Sequence, residues 1–324
     1  MTVSIIICTR NRADSLKPTL ESIGNSIVPP EWNAELLIVD NGSTDHTRDV
    51  VDAAQLNNLS LRYVKEPKTG QAYARDTGLK ETSGQIILFT DDDVRIPLDW
   101  IEGMCRPILD GEADAVAGGV AFPPDLASAL AQPPFFSRRG WFASTEELDP
   151  NLPTRMVGAN MSFHRRVLDR VPGFDLELGP GALGFHDETL FSWQLHEAGY
   201  NIVGALNVVV EHHFDRNRVS RQGILDLARK FGRSDAFTFH HWEHQKLRRV
   251  LPKLARCHFY RVWTRCSEWL GKSADSLVTE QVIRAEQDLA FYREYIVQRQ
   301  RPRKYPLRSL APQAAHPWRC FPRK

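Results

Sequence analysis

Gln85-Ile86-Ile87-Leu88-Phe89-Thr90-Asp91-Asp92-Asp93 is an apolar run that ends in three consecutive carboxylates. Residues 86–89 predict a buried strand, and the acids stand at its carboxyl end. Three like charges side by side repel one another unless a cation neutralises them, and hard divalent cations favour such oxygen ligands. Open α/β sheets bind ligands at the carboxyl ends of their strands. Taken alone, the triplet competes with a solvated acidic turn.

The residues on either side extend the pattern. Val3–Cys8, Leu36–Val39, Leu61–Val64, Ile86–Phe89 and Ala113–Ala121 read as strands, with helices over Ala13–Ser26, Ser43–Gln55, Gly70–Thr82 and Pro97–Leu109 between them. Leu16, Leu20 and Ile23 recur at helical spacing in the first helix. Such alternation predicts an α/β fold with a mainly parallel sheet flanked by helices. Residues 122–152, with Pro123-Pro124, Pro133-Pro134 and several aromatics, are expected as a long loop. A second block over 154–214 holds a strand near Met156–Phe163, a helix at Glu188–Ala198 and a strand near Val208–Val210. Helices are then expected near 219–238, 244–269 and 275–299, ahead of a loose Pro- and Arg-rich tail over 301–324.

The 324 residues carry a net charge of only +1, which hides a division. From Asp215 onward there are 24 Lys and Arg against 10 Asp and Glu, and before it 17 against 30. The basic end has three readings: contact with an anionic membrane surface, an oligomer or partner interface, or a solvated helical cap over the functional site. Arg248, Arg249, Lys253 and Arg256 can form a basic helix face, while Phe259, Trp263 and Trp269 read equally well as core. No motif supports nucleic acid as a partner. No apolar stretch is long enough to span a bilayer, and Met1–Arg12 does not read as a signal peptide. Cys8, Cys105, Cys257, Cys266 and Cys320 are scattered without a CxxC pair, so neither a disulfide framework nor a zinc site is expected. A reduced, cytoplasmic protein is expected, with peripheral association at the inner face of the cytoplasmic membrane as a further expectation.

Two other motifs carry less. Gly179-Pro180-Gly181-Ala182-Leu183-Gly184 matches GxGxxG literally but follows no strand, so it reads as a glycine-rich loop beside Asp187 and Glu188. His240-His241-Trp242-Glu243-His244 lacks the HExxH spacing of a zinc hydrolase and reads as a surface or interface cluster.

The segments SIIICTRNRADSLKPTLESI, ELLIVDNGSTDHT, KTGQAYARDTGL, GQIILFTDDDV, VGANMSF and HDETLFSWQLHEAGY resemble, in order over residues 2–214, a family 2 glycosyltransferase with the GT-A fold. The resemblance implies a domain over 1–214, its nucleotide half at 1–121 and its acceptor and catalytic half at 122–214, followed by a basic helical extension over 215–324. It implies inverting transfer of a sugar from a nucleotide-sugar donor, with UDP as the nucleotide, to a saccharide or lipid-linked acceptor. Asp40 would accept the uracil N–H. Thr9, Arg12 and Arg75 would line the donor site, although Asp76 follows Arg75 where the family has Asn. Asp91 and Asp92 would lie near the base and ribose, Asp93 would bind Mn2+ or Mg2+, and His212 or His213 can complete the metal site. Gly158-Ala159-Asn160 would shape the acceptor side. The base is Glu188 or Asp187; the order is swapped relative to the family, so Glu188 stands at the family's Asp. A nucleotidyltransferase on a similar fold and a non-catalytic nucleotide-sugar-binding scaffold are the competing readings. The first is disfavoured because Cys8–Arg12 has no glycine for a phosphate loop.

Overall fold

β1 (Thr2–Thr9) is buried on both faces, with Ile5 and Ile7 in one core and Ile6 in the other. A strand enclosed on both sides needs helices on both faces of its sheet. The computed structural model describes residues 1–56, 59–145, 154–270 and 278–305. After β1 come α1 (Ala13–Gly24), β2 (Asn33–Asp40), α2 (Thr47–Ala53), β3 (Ser60–Lys65), α3 (Gln71–Glu81), β4 (Ile86–Thr90), β5 (Val94–Arg95), α4 (Trp100–Leu109) and β6 (Ala115–Ala121). The chain continues through α5 (Pro124–Leu130), a 3-10 helix over 136–142, β7 (Asn160–His164), α6 (Asp187–Glu197), β8 (Ile202–His212), α7 (Arg221–His241), α8 (Val250–Leu270) and α9 (Glu280–Gln298).

The strands form one mixed sheet in the order β3-β2-β1-β4-β7-β6-β8-β5. β1 pairs in parallel with β2 and β4, β2 with β3, and β6 with β8; β7 runs antiparallel between β4 and β6, and β5 antiparallel to β8. Leu16, Leu20 and Ile23 of α1 and Trp100 and Met104 of α4 cover one face. Ala74 and Leu79 of α3 and Phe191 and Leu195 of α6 cover the other. The α/β fold and the helical C-terminal region are as expected. Thr9 stands beside Asp40, and Ile7 beside Thr90, so the loops after β1, β2 and β4 leave from one rim.

Several boundaries differ from expectation. α2 starts at Thr47 rather than Ser43 because the preceding residues are held elsewhere: the Asn11 N–H donates to Ser43 Oγ at 2.9 Å, and the Thr44 N–H to Asn11 Oδ1 at 2.7 Å. The described part of 122–152 is no open loop. The prolines at 123–124 start α5, where their fixed φ suits a first helical turn. Leu126, Leu130, Phe135, Trp141 and Phe142 then form a core with Ile224 and Leu227 of α7 and Ile283 of α9. The tail is held as far as it is described: Arg301 forks onto Glu177 at 2.5 and 2.9 Å, and Lys304 reaches Asp175 at 2.8 Å. Residues 57–58, 146–153, 271–277 and 306–324 lie outside the described residues. In the histidine cluster His240 and His241 are buried and His244 is half-buried. His240 and His244 contact the carbonyl oxygens of Arg301 and Tyr305, and His241 the side chain of Gln298. Phe259, Trp263 and Trp269, for which a place in the core was one of two readings, are exposed. Among the described residues, no helix is long and apolar enough to cross a membrane.

Asn160 ties the reversed strand β7 to its surroundings. Its Oδ1 accepts from the Trp100 indole at 2.9 Å, and its Nδ2 donates to the carbonyls of Gly119 and Val208, each at 2.9 Å. Asn160→Ala would leave one donor and two acceptors unpaired in a fully buried position. A loss of about 3 kcal/mol is expected, read as a lower urea midpoint at unchanged slope.

Candidate active site

Three strand ends begin the site. At the end of β1 the Thr9 hydroxyl donates to Asp92 Oδ2 at 2.6 Å, and Arg12 donates to Asp93 Oδ2 at 2.5 Å. At the end of β2, Asp40 is buried and has both oxygens engaged, accepting from the Tyr63 hydroxyl and, at 2.7 Å, from the Ser43 N–H. Its neighbour Asn41 faces the pocket instead. The Asn41 side chain donates to the Lys68 carbonyl at 2.6 Å and accepts from the Gly70 N–H at 2.7 Å, which fixes the start of α3 against the rim.

The acid triplet follows β4. Asp91 and Asp93, alternate residues, share a site with His212 at the end of β8, and one ligand atom from each lies within 4.8 Å of the others. Asp92 turns toward Thr9 instead. Burial and the charge of Asp93 push Asp92 up to about 7, and the same two causes raise Asp91. Burial would also raise Asp93, but His212, Arg12 and Arg218 hold it well below the usual carboxylate range. His212 Nδ1 lies 3.0 Å from the Phe142 carbonyl, which can only accept, so this nitrogen carries a proton. Nε2 then faces Asp93 Oδ1 at 3.2 Å, an arrangement that a proton or a cation between them satisfies. His213, the other candidate, contacts Glu211 instead.

The catalytic candidates start α6. Arg75 of α3 is 3% exposed and donates to Asp187 Oδ2 at 2.5 Å, with Glu188 Oε2 at 3.8 Å. The guanidinium also lies over the rings of Phe174 and Phe89, at 5.1 and 5.9 Å. Its enclosure requires glycine at 158, where a Cβ would stand 2.2 Å from Arg75 Nη2. His186, ahead of the helix, adopts a left-handed φ of 74° and is held by Asp235 at 3.0 Å. Burial opposes ionisation of Asp187, but Arg75 overrides it and lowers that carboxyl. Burial and the charge of Asp187 raise Glu188 well above the ordinary range. The Asp187 side chain is 1% exposed, while Glu188 keeps 24% of its surface open toward the pocket.

These groups border one cavity of about 800 Å3. The structure brings together Thr9, Arg12, Arg75, Asp91, Asp92, Asp93, Asp187, Glu188 and His212 there; Asp40 stands behind Asn41, and Asn160 behind Gly158 and Ala159. Burial pushes the Cys8 thiol, on the same wall, up to about 12, which removes it as a nucleophile. The opposite wall comes from residues that the motifs did not flag: Arg138 and Trp141 of the 3-10 segment, Arg155, Arg218, and Asp226, Lys230 and Phe231 of α7. The signal was available, because β6 and β8 run parallel to each other and, through antiparallel β7, parallel to β4, so residues after 121 and 212 leave from the same rim. The cavity therefore crosses the division expected at 214.

Residues 4–171 match the sequence model of Glycosyl transferase family 2. The chain belongs to that family. It is 32% identical over 122 residues to Glycosyltransferase AglE of Haloferax volcanii, covering 37% of this chain and 40% of that protein. It is 29% identical over 192 residues to the glucosyl-dolichyl phosphate glucuronosyltransferase of the same organism, covering 55% and 58%. The chain thus spans less than two thirds of either relative. A solved mannosyltransferase, PcManGT from Pyrobaculum calidifontis in complex with GDP-Man and Mn2+, shares the fold at a TM-score of 0.60 and 18% identity, over 92% of this chain and 86% of that one. The fold is that of the GT-A glycosyltransferases.

Asp187 and Glu188 should separate in stability measurements. Asp187→Asn strands the buried Arg75 charge and is expected to cost about 3 kcal/mol. Glu188→Gln should shift stability by less than about 1 kcal/mol, compared by urea titration.

Proposed function

We propose that this glycosyltransferase moves a sugar from a UDP-sugar to a hydroxyl group of a saccharide or lipid-linked acceptor, with inversion at the anomeric carbon. The observation that carries the reading is the shared cavity, which puts the Asp91, Asp93 and His212 trio and the open carboxylate of Glu188 on one surface. In a single displacement Glu188 takes the acceptor proton as the new carbon–oxygen bond forms and the bond to the diphosphate breaks. A carboxylate raised above its ordinary value is the stronger base for that transfer. Asp187, locked to Arg75, positions the start of α6 and keeps the charge beside Glu188. Thr9, Arg12, Asp91 and Asp92 form the donor wall, with Asp40 supporting the base-binding loop through Ser43.

The residues present fit a divalent ion: Asp93 and His212 would hold Mn2+ or Mg2+ with Asp91 beside them, and the imidazole is already oriented by Phe142. When bound, the ion neutralises charge on the diphosphate leaving group. The Mn2+ in the mannosyltransferase complex supports such an ion, and the name of the dolichyl phosphate relative supports a lipid-linked acceptor. The basic C-terminal helices support work at the inner face of the cytoplasmic membrane.

Calorimetric titration with UDP, GDP, CDP and dTDP, each with and without Mn2+, tests the donor. Selective, Mn2+-dependent UDP binding that Asp93→Asn abolishes is the expected outcome; preference for GDP would move the donor to the nucleotide of the mannosyltransferase complex. Glu188→Gln should keep donor binding and lower turnover by about 10²-fold or more. The same loss from Asp187→Asn with Glu188→Gln fully active would reassign the base. Because Glu188 must be deprotonated to act, turnover should rise with pH along an acid limb whose inflection lies well above the ordinary carboxylate value, as pH–rate profiles would show.

A further inference from the structure

α8 is apolar on the side that no other described element covers. Its inner side packs on α7 and α9, where Val250 joins Ala236, Phe291 and Tyr295, and Leu254 and Cys257 border the same cluster. On its outer side Leu251, Phe259, Val262, Trp263 and Trp269 are 65, 71, 56, 63 and 81% exposed. At 3.6 residues per turn these five fall within an arc of roughly 120°, the width of a core-facing stripe, yet the stripe faces solvent. Arg256 and Lys253 follow along one edge of the arc, and His258 and Arg265 along the other.

Among the residues of α8 whose side chains are described, the charge has one sign. From His244 to Ser267 the sequence holds seven Lys and Arg and no carboxylate. Glu286 of α9, 2% exposed, takes up Arg265 at 2.7 Å and approaches Arg261 at 3.8 Å from behind. Arg248, Arg249, Lys253 and Arg256 have no carboxylate partner among the described residues. A second copy docking here would bring two sets of unpaired cations together along the rims of the contact. An anionic bilayer supplies an apolar interior for the aromatic stripe and negative headgroups for its edges.

We propose that α8 lies in the headgroup region of an anionic lipid bilayer, with Trp263, Trp269 and Phe259 inserted and Lys253, Arg256 and the Arg248-Arg249 pair on the lipid phosphates. This deepens the reading of a lipid-linked acceptor and takes its biological sense from it. α7 connects the two places: Lys230 and Phe231 line the catalytic cavity, and Ala236, one and a half turns on, packs with α8 and α9. The acceptor would enter the cavity from the surface on which the enzyme rests.

Vesicle co-sedimentation of the full chain, without sugar donor, tests the proposal independently of catalysis. Vesicles of phosphatidylcholine with phosphatidylglycerol should bind the protein about tenfold or more tightly than phosphatidylcholine alone, and high salt should weaken that binding. The double variant Trp263→Ala with Trp269→Ala should lose about tenfold in affinity while keeping its circular dichroism and its UDP binding. Lys253→Gln with Arg256→Gln should lose affinity for the anionic vesicles alone. No binding to either vesicle, or unchanged binding by both variants, overturns the proposal. A dimer in sedimentation velocity that the tryptophan variant dissociates assigns the face to a second copy instead. Failure of UDP binding with vesicle binding intact would sink the donor reading and leave the membrane face standing.

Discussion

A guanidinium with almost no access to water organises this molecule. Arg75 is 3% exposed, and its charge is balanced by Asp187 at 2.5 Å. Removing two charges from water costs several kcal/mol each, so the pair adds little net stability; what it enforces is that neither partner can be absent. Arg75 comes from α3, ahead of β4, and Asp187 from α6, after β7, so these two parts of the chain are held in one register. The neighbours follow from this. Glycine is needed at 158 to admit the guanidinium and at 179, where a Cβ would stand 2.7 Å from the Asp187 carboxylate. Phe89 and Phe174 supply ring faces to a cation that has few other contacts. The pair also divides labour between adjacent acids: Asp187 is kept ionised and immobile, and the repulsion of its charge is part of what raises Glu188.

The acid triplet shows a second division. Its alternate members Asp91 and Asp93 face His212, while Asp92 turns to Thr9. Buried and adjacent, the three carboxylates cannot all be charged at little cost, which is why two are raised while Asp93, surrounded by His212, Arg12 and Arg218, is lowered. The site is thus prepared for positive charge at one carboxylate in particular. The hydrogen bond from His212 Nδ1 to Phe142 turns Nε2 toward that carboxylate, and Phe142 belongs to the segment after β6. An element from beyond β6 therefore sets the orientation of a side chain beside the acid triplet.

Most of the first half was legible in the sequence because its strands are short apolar runs and its helices are amphipathic. The chemistry was legible because the acids fall where strands end. Three things were not. The two-residue β5 gives no periodicity signal, and only its pairing with β8 makes it a strand. The segment 122–145 looked like a loop because its prolines were read as breakers, whereas they open a helix and its aromatics close a core with α7 and α9. The partners of Asp40 were the third, because sequence does not show that Tyr63 of the neighbouring strand β3 would donate to one of its oxygens. The aromatics of α8 could be read from the sequence as core or as surface, and only the arrangement of α7 and α9 shows which of the two apolar faces is covered.

The basic last third is not an appendage to a finished enzyme. Arg138, beside Trp141 in the cavity wall, makes a two-pronged contact with Glu280 at the start of α9. Glu286, one and a half turns further on, is buried among Arg229 of α7 and Arg265 of α8, at 3.0 and 2.7 Å. A carboxylate buried to that degree demands its cations, so α7, α8 and α9 are fixed to one another by the same logic that fixes Arg75 to Asp187. The surplus positive charge is then of two kinds. Part is consumed internally by Glu280 and Glu286, and part remains along the outer edges of α8. Net charge alone would count both as a binding surface; only the pairing separates the arginines that hold the cavity wall in place from those along the outer edge of α8.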